Sequence, residues 1–222
     1  TATIYRIASD GAGRFLATAS EDKTVRIWDA ASSQLLRVIR PPIGGGNEGK
    51  LYTVAVSPDG SLVACGGWTK LGSDKGHTIY LFNRASVSIW RRFTDFTNTV
   101  NELAFSPDGQ QLAVGLGGNQ GVRVIRHTDG KELFRDTDFG GRVSIAFDRS
   151  GRLAVVSYDG SIRIYDNRFQ KTAAVSSAGG REPKGIAFSP DGRQLAIGYI
   201  DKQLVEIRSG RDLDLLDRKS VV

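Results

Sequence analysis

The chain is a repeat, and that property limits its possible folds more than any other. The strings GRFLATAS, GSLVACGG, GQQLAVGL, GRLAVVSY and GRQLAIGY begin at Gly13, Gly60, Gly109, Gly151 and Gly192, in steps of 47, 49, 42 and 41 residues. A unit of this length is one supersecondary motif, which cannot bury its apolar face alone and must stack on copies of itself. Every unit alternates four apolar segments with turns and loops. In the second unit these are YTVAVS, the turn Pro58-Asp59-Gly60, LVACGG, then IYLFN after a longer loop, and VSIWRRFTDF.

The segments read as strands. The third one recurs as VRIWD, IYLFN, VRVIR, IRIYD and LVEIR, rich in β-branched and aromatic residues, with Arg26, Arg123 and Arg163 alternating against apolar neighbours. The tetrapeptide SPDG at 57–60, 106–109 and 189–192 joins first to second segments: proline presets φ and glycine supplies positive φ in a tight turn. The first segments share an apolar residue followed by alanine, at Ile7-Ala8, Val54-Ala55, Leu103-Ala104, Ile145-Ala146 and Ile186-Ala187, and such small residues let neighbouring sheets approach. No stretch of ten residues carries the i, i+3, i+4 spacing of a helix. The expectation is an all-β fold of five four-stranded sheets, with repeats at about 1–48, 49–97, 98–140, 141–181 and 182–222. The 27 glycines among 222 residues suit its many turns, and a hydrophobic content of 40% excludes disorder as the main state.

A four-stranded unit of about 40–45 residues whose third strand closes on Trp-Asp resembles the WD40 repeat, the blade of a β-propeller. The resemblance is carried by ATASEDKTVRIWD at 17–29, VAVSPDGSLVA at 54–64, LAFSPDGQQLAVG at 103–115, VSYDGSIRIYD at 156–166 and IAFSPDGRQLAIG at 186–198. It implies a single propeller domain over 1–222, either five-bladed or a partial array from a seven-bladed ring; the absence of any methionine fits an excised piece. Only Trp28-Asp29 keeps the dipeptide, against Phe82-Asn83, Ile125-Arg126, Tyr165-Asp166 and Ile207-Arg208, and the family's Gly-His is missing ahead of every first strand. The family's hydrogen-bond network therefore lacks members in each unit, and packing is expected to hold the blades. The texture is similar to bacterial arrays attached to caspase-like, kinase or helical-repeat regions.

Chemistry finds few footholds. Gly44 to Lys50 spells G-x-x-x-x-G-K, but a phosphate cradle needs a helix and a Ser or Thr after the lysine, and here Leu51 and a strand follow. His77 and His127 lie in different units, His77 in the inserted loop of the second. The lone Cys65 sits inside an apolar strand as a small core residue, so no metal or other cofactor is expected. Asp136 and Asp138 resemble the start of a calcium loop but lack its closing glutamate, and read as solvated turn carboxylates. No catalytic residue is assigned, and the chain is expected not to be an enzyme.

The net charge of +6 is mild and spread along the chain. The resemblance implies that the loops entering first strands and leaving second strands share one face around the central channel, the face that takes partners. That gathers Lys50, Trp68, Lys70, Lys75, Arg142, Tyr158, Arg181, Lys184, Tyr199 and Lys202 on one rim. Trp68, placed in the polar insertion WTKLGSDKGH, either folds back onto its blade or anchors a partner. The main expectation is a non-catalytic scaffold for another protein or a domain of the parent chain. The alternatives are a carboxylate-based propeller hydrolase, since propellers host many functions, and a nucleic-acid module using the basic face. No apolar run approaches a membrane span and no leader is evident, so a cytoplasmic setting is expected.

Overall fold

The structure is a computed structural model that describes residues 2–42, 44–72 and 74–220. It consists of five sheets, each of four antiparallel strands in chain order. Blade one holds β1 (Ile4–Ser9), β2 (Phe15–Ser20), β3 (Val25–Asp29) and β4 (Leu35–Ile39); blade two holds β5 (Lys50–Val56), β6 (Leu62–Trp68), β7 (His77–Asn83) and β8 (Ile89–Phe96). Blade three holds β9 (Val100–Phe105), β10 (Gln111–Leu116), β11 (Val122–Arg126) and β12 (Glu132–Asp136), with one short 3-10 turn at Gly118–Gln120. Blade four holds β13 (Val143–Phe147), β14 (Leu153–Ser157), β15 (Ser161–Tyr165) and β16 (Lys171–Ser176); blade five holds β17 (Pro183–Phe188), β18 (Gln194–Tyr199), β19 (Leu204–Ser209) and β20 (Leu215–Ser220). The all-β, five-bladed reading of the sequence is the observed architecture.

Local chemistry explains the hairpins. In the first SPDG turn the Ser57 hydroxyl accepts the Leu62 amide at 2.9 Å and donates to Asp59, while Gly60, at φ +73°, returns its amide to the Ser57 carbonyl at 2.8 Å. A side chain with a Cβ would be strained there. Blades one and four place aspartate where the serine stands. Asp10 accepts the Arg14 and Phe15 amides, and Asp148 accepts the Arg152 amide. Each aspartate also holds the Nε of its arginine at 2.8 Å, and the arginine's other end reaches the next blade: Arg14 donates to the Asp59 carbonyl at 2.8 Å and Arg152 to the Gly192 carbonyl at 2.7 Å.

Between blades lie four apolar cores. Residues of β2 and β3 (Ala17, Ala19, Val25, Ile27) meet Leu51, Val54, Val63 and Cys65 of blade two, and the pattern repeats at each later joint. Each fully buried aliphatic side chain contributes roughly 1.5–3 kcal/mol relative to leaving it in water. Packing is not the whole bond, however, which corrects the expectation from the missing family network. At the joint of blades three and four, Asp136 accepts from Arg163 Nη1 at 2.8 Å and from the Tyr165 hydroxyl, while Arg163 Nη2 reaches Asp138 at 2.8 Å. Asp136 is thus a half-buried partner of an arginine rather than a solvated turn residue. Within blade five, on the face packed against blade four, fully buried Glu206 accepts from Tyr199, Arg208 and Arg218 of its own blade at 2.8–2.9 Å. An arginine carried into a joint by its strand must find a carboxylate, because an unpaired buried charge is very costly.

Candidate binding site at the channel mouth

The first strands of all five blades converge on one cavity of about 220 Å³, lined by Tyr5, Arg6, Tyr52, Asn101, Glu102, Arg142, Ser144, Lys184 and Gly185. Its geometry follows from a shared irregularity. In β1, β5, β9 and β17 the register slips by one residue, which leaves Tyr5, Tyr52, Asn101 and Lys184 without a partner on the second strand. A bulge of this kind re-aims the extra side chain and is common beside functional sites. β13 has no bulge, and blade four instead brings Arg142, just ahead of that strand, into the lining. These five residues form the outer tier of the cavity. The next residues inward are Arg6, Glu102, Ser144 and Gly185, with Thr53 at the same register in β5.

The inner tier is electrostatically unusual. Glu102 is buried and forms an ion pair with Arg6 across the channel, from blade three to blade one. Its Oε1 lacks an aligned hydrogen bond, as does the fully buried Thr53 hydroxyl. Burial raises the Glu102 carboxyl to about 7, although Arg6, Arg142 and Lys184 pull in the opposite direction. Arg142 Nη2 donates to Asn101 Oδ1 at 2.9 Å, and neither Arg142 nor Lys184 takes part in an ion pair among the described residues. Tyr5 and Tyr52 meet edge to face at 5.1 Å and form one wall.

The residues expected on the rim fall into groups. Arg142 and Lys184 line the cavity. Trp68, Lys70 and Lys75 cluster on blade two, where β6 runs through Trp68 and β7 begins at His77, so neither residue belongs to the loop that the sequence suggested. His77 is buried, its Nδ1 accepts the Thr69 amide at 3.1 Å, and its ring packs against Trp68 with centroids 5.6 Å apart. Trp68 therefore rests one edge on its own blade and still exposes 42% of its surface. Arg181 and Lys202 are exposed on blade five, on segments joined by Asp201 accepting the Arg181 amide at 2.8 Å. Tyr158 is half-buried beside Gly141. Two of the set are engaged internally: the Lys50 ammonium donates to Glu21, and the Tyr199 hydroxyl joins Ser177 and Glu206.

Sequence reasoning missed Tyr5, Arg6, Tyr52, Asn101, Glu102 and Ser144. The signal was present, since Arg6, Thr53, Glu102, Ser144 and Gly185 each stand immediately before the recurring apolar–alanine pair. The G-x-x-x-x-G-K segment leads into β5, with its lysine held by Glu21. Cys65 is buried, and burial pushes its thiol well above the ordinary range. Among the described residues, no group of three or more His, Cys, Asp or Glu side chains is placed to hold a metal ion. No helix there is long and apolar enough to cross a membrane. A larger depression of about 460 Å³ lies among the turns of blades three and four, lined by Ser106, Asp108, Arg149 and Asn167. Much of its lining is engaged within those turns, with Asp108 accepting from Ser106.

The chain is similar to curated proteins named guanine nucleotide-binding protein subunit beta. It is 24% identical to the protein of Oryza sativa subsp. japonica over 225 residues, covering 92% of this chain and 56% of that protein. The corresponding figures are 25% over 214 residues, 90% and 55% for Nicotiana tabacum, and 26% over 215 residues, 90% and 55% for Arabidopsis thaliana. The chain spans about half the length of these relatives. The family model described as WD domain, G-beta repeat matches residues 1–29, 37–83, 88–126 and 136–166. Blade five lies outside the matched segments yet repeats the same four-stranded sheet. With the match covering most of its length and all five sheets built on one plan, the chain belongs to the WD40 repeat family.

Proposed function

We propose that this chain is a non-catalytic scaffold that recognises another protein, or another domain of its parent chain, through the face at the channel mouth. The observation that carries this reading is the convergence of five first strands, four of them bulged, on one end of the channel. On this reading the half-exposed Trp68 and the exposed cations Lys70, Lys75, Arg181 and Lys202 belong to the same rim. Aromatic and basic side chains of this kind are the usual anchors of protein interfaces. The names of the relatives, which describe a subunit, support a role in an assembly. The engagement of His77 by Thr69 and Trp68, and of Asp136 and Glu206 by arginines, favours scaffold over hydrolase. The same proposal takes residues 1–222 as one domain in a cytoplasmic setting, in line with a lone, free thiol, and includes kinship with bacterial multidomain arrays.

Selection of displayed peptides on the purified chain tests the reading. Selected peptides should lose at least tenfold in affinity when Trp68→Ala is combined with Lys70→Ala and Lys202→Ala. Failure to select any peptide, together with salt-dependent retention on DNA, would replace the protein-binding reading with a nucleic-acid one.

A further inference from the structure

We infer that the channel mouth is a receptor for one carboxylate or phosphate group carried by an acidic peptide of the partner. This deepens the reading of the rim and rests on it. The charges decide the sign of the ligand. Three cations, Arg6, Arg142 and Lys184, surround a cavity that holds one carboxylate, Glu102, and Arg6 already matches that carboxylate. Arg142 gives one nitrogen to Asn101 Oδ1, and Lys184 faces solvent at a bulge, so two cations remain for a ligand. Beside them stand the hydroxyls of Tyr5, Tyr52 and Ser144, all hydrogen-bond donors, and charge-assisted bonds of this type are the strong ones.

Size and charge also fix the kind of ligand. A space of about 220 Å³ walled by two tyrosines takes one acidic side chain. A nucleic acid, which needs a row of cations to meet successive phosphates, finds only two here. Binding should also take up a proton. Glu102 faces Arg6, Arg142, Lys184 and the phenols of Tyr5 and Tyr52, and an added anion shifts the balance of that set toward neutral Glu102. Affinity therefore rises as the pH falls through about 7.

Calorimetry at low salt with three blocked hexapeptides, carrying a central Glu, phosphoserine or Gln, tests the inference, with inorganic phosphate as competitor. Both acidic peptides should bind at one site at least tenfold more tightly than the Gln peptide, and phosphate should displace them. The Arg142→Ala/Lys184→Ala double variant should lose at least tenfold, and Arg193→Ala, on the exposed turn between β17 and β18, should leave peptide affinity within about twofold of wild type. Lys184→Gln, at an exposed position, serves if the double variant melts early, and should lose at least threefold. The Glu peptide should bind more tightly at pH 6 than at pH 8 to the wild type but not to Glu102→Gln. Equal binding of acidic and Gln peptides, or free phosphate binding while both acidic peptides fail, overturns the inference. Library-selected peptides that need Trp68 but ignore Arg142 and Lys184 would also overturn it, while leaving the rim reading in place.

Discussion

Leu16 and Leu112 are the same residue at the same register of two second strands, and they live in different environments. Leu112 is fully buried in the joint between blades two and three, as are its counterparts Val63, Leu153 and Leu195 in the other joints. Leu16 is only half-buried and, with Ile7 and Trp28, lines an open apolar groove on the outward side of blade one. Ile7 exposes 60% of its surface, whereas Val54, Leu103 and Ile145 at the same position are buried. Blade five mirrors this. A Cβ on Gly66 would run into Val100 of the next blade, while one on Gly198 would meet nothing within 4 Å. Each joint is therefore made of two complementary surfaces, and each terminal blade presents one of them without its counterpart. Burial here follows place in the array more closely than residue type.

The strongest way to break this comparison is to open a joint through its charges. Glu206→Ala leaves Arg208 buried without its carboxylate and should cost about 3–5 kcal/mol in urea unfolding. An equal loss at Thr18→Ala, on the side of blade one away from the joint where the hydroxyl accepts from the Trp28 indole at 3.2 Å, would mean that the joints are not where stability resides. The same carboxyl supplies a pH signature. Burial alone would raise it, yet the bonds from Tyr199, Arg218 and Arg208 hold it below the ordinary value of 4.5. Its contribution is therefore complete above that value and drains away as the pH falls through the folded one, and Glu206→Gln should flatten the acid limb. Next in size, Leu112→Ala should cost about 2–5 kcal/mol and Leu16→Ala no more than about 1 kcal/mol. Matching losses would show that the groove on blade one is filled in solution.

The sequence carried the architecture because the repeat carried it. Five aligned strings, three SPDG turns and the apolar–alanine pairs were enough for five four-stranded sheets, since turn chemistry and strand periodicity are local. Of the ten residues expected on the rim, two line the channel cavity: Arg142, just ahead of β13, and Lys184, inside β17. The bulges were not legible. Nothing local marks Tyr5, Tyr52 or Asn101 as the extra residue, because a bulge is a mismatch between two strands and is visible only once they pair. Nor could composition show that Lys50 answers Glu21, 29 positions earlier, or that Arg163 answers Asp136, 27 positions earlier, because both pairs join one blade to the next. Trp68 and His77 were read as loop because the insertion is polar, but Thr69 and Thr78 bond across its base and extend the hairpin to both.

Two glycines at one register make a finer test. Gly66→Ala pushes a methyl group to 2.7 Å from Val100, a short side chain with no room to swing away, and should cost about 1–3 kcal/mol. Gly198→Ala, with open space before it, should be neutral or stabilising by up to about 1 kcal/mol through the less flexible unfolded chain. If both substitutions destabilise alike, blade five is covered and the comparison between joints and free faces fails.

The smallest expected effect separates backbone strain from packing at the outer hairpins. The turn between third and fourth strands needs a left-handed residue, which is Gly130 in blade three but Ser33 in blade one and Leu213 in blade five, at φ +59° and +67°. Exposed Ser33 gains nothing from its side chain that would offset this conformation, so Ser33→Gly should stabilise by about 0.5–1 kcal/mol. Leu213 is fully buried in the joint of blades four and five, and Leu213→Gly should lose stability although it relieves the same strain. Opposite signs at one turn position would show that a joint tolerates a strained backbone in exchange for a buried side chain. If both changes stabilise, Leu213 adds less to its joint than its burial implies.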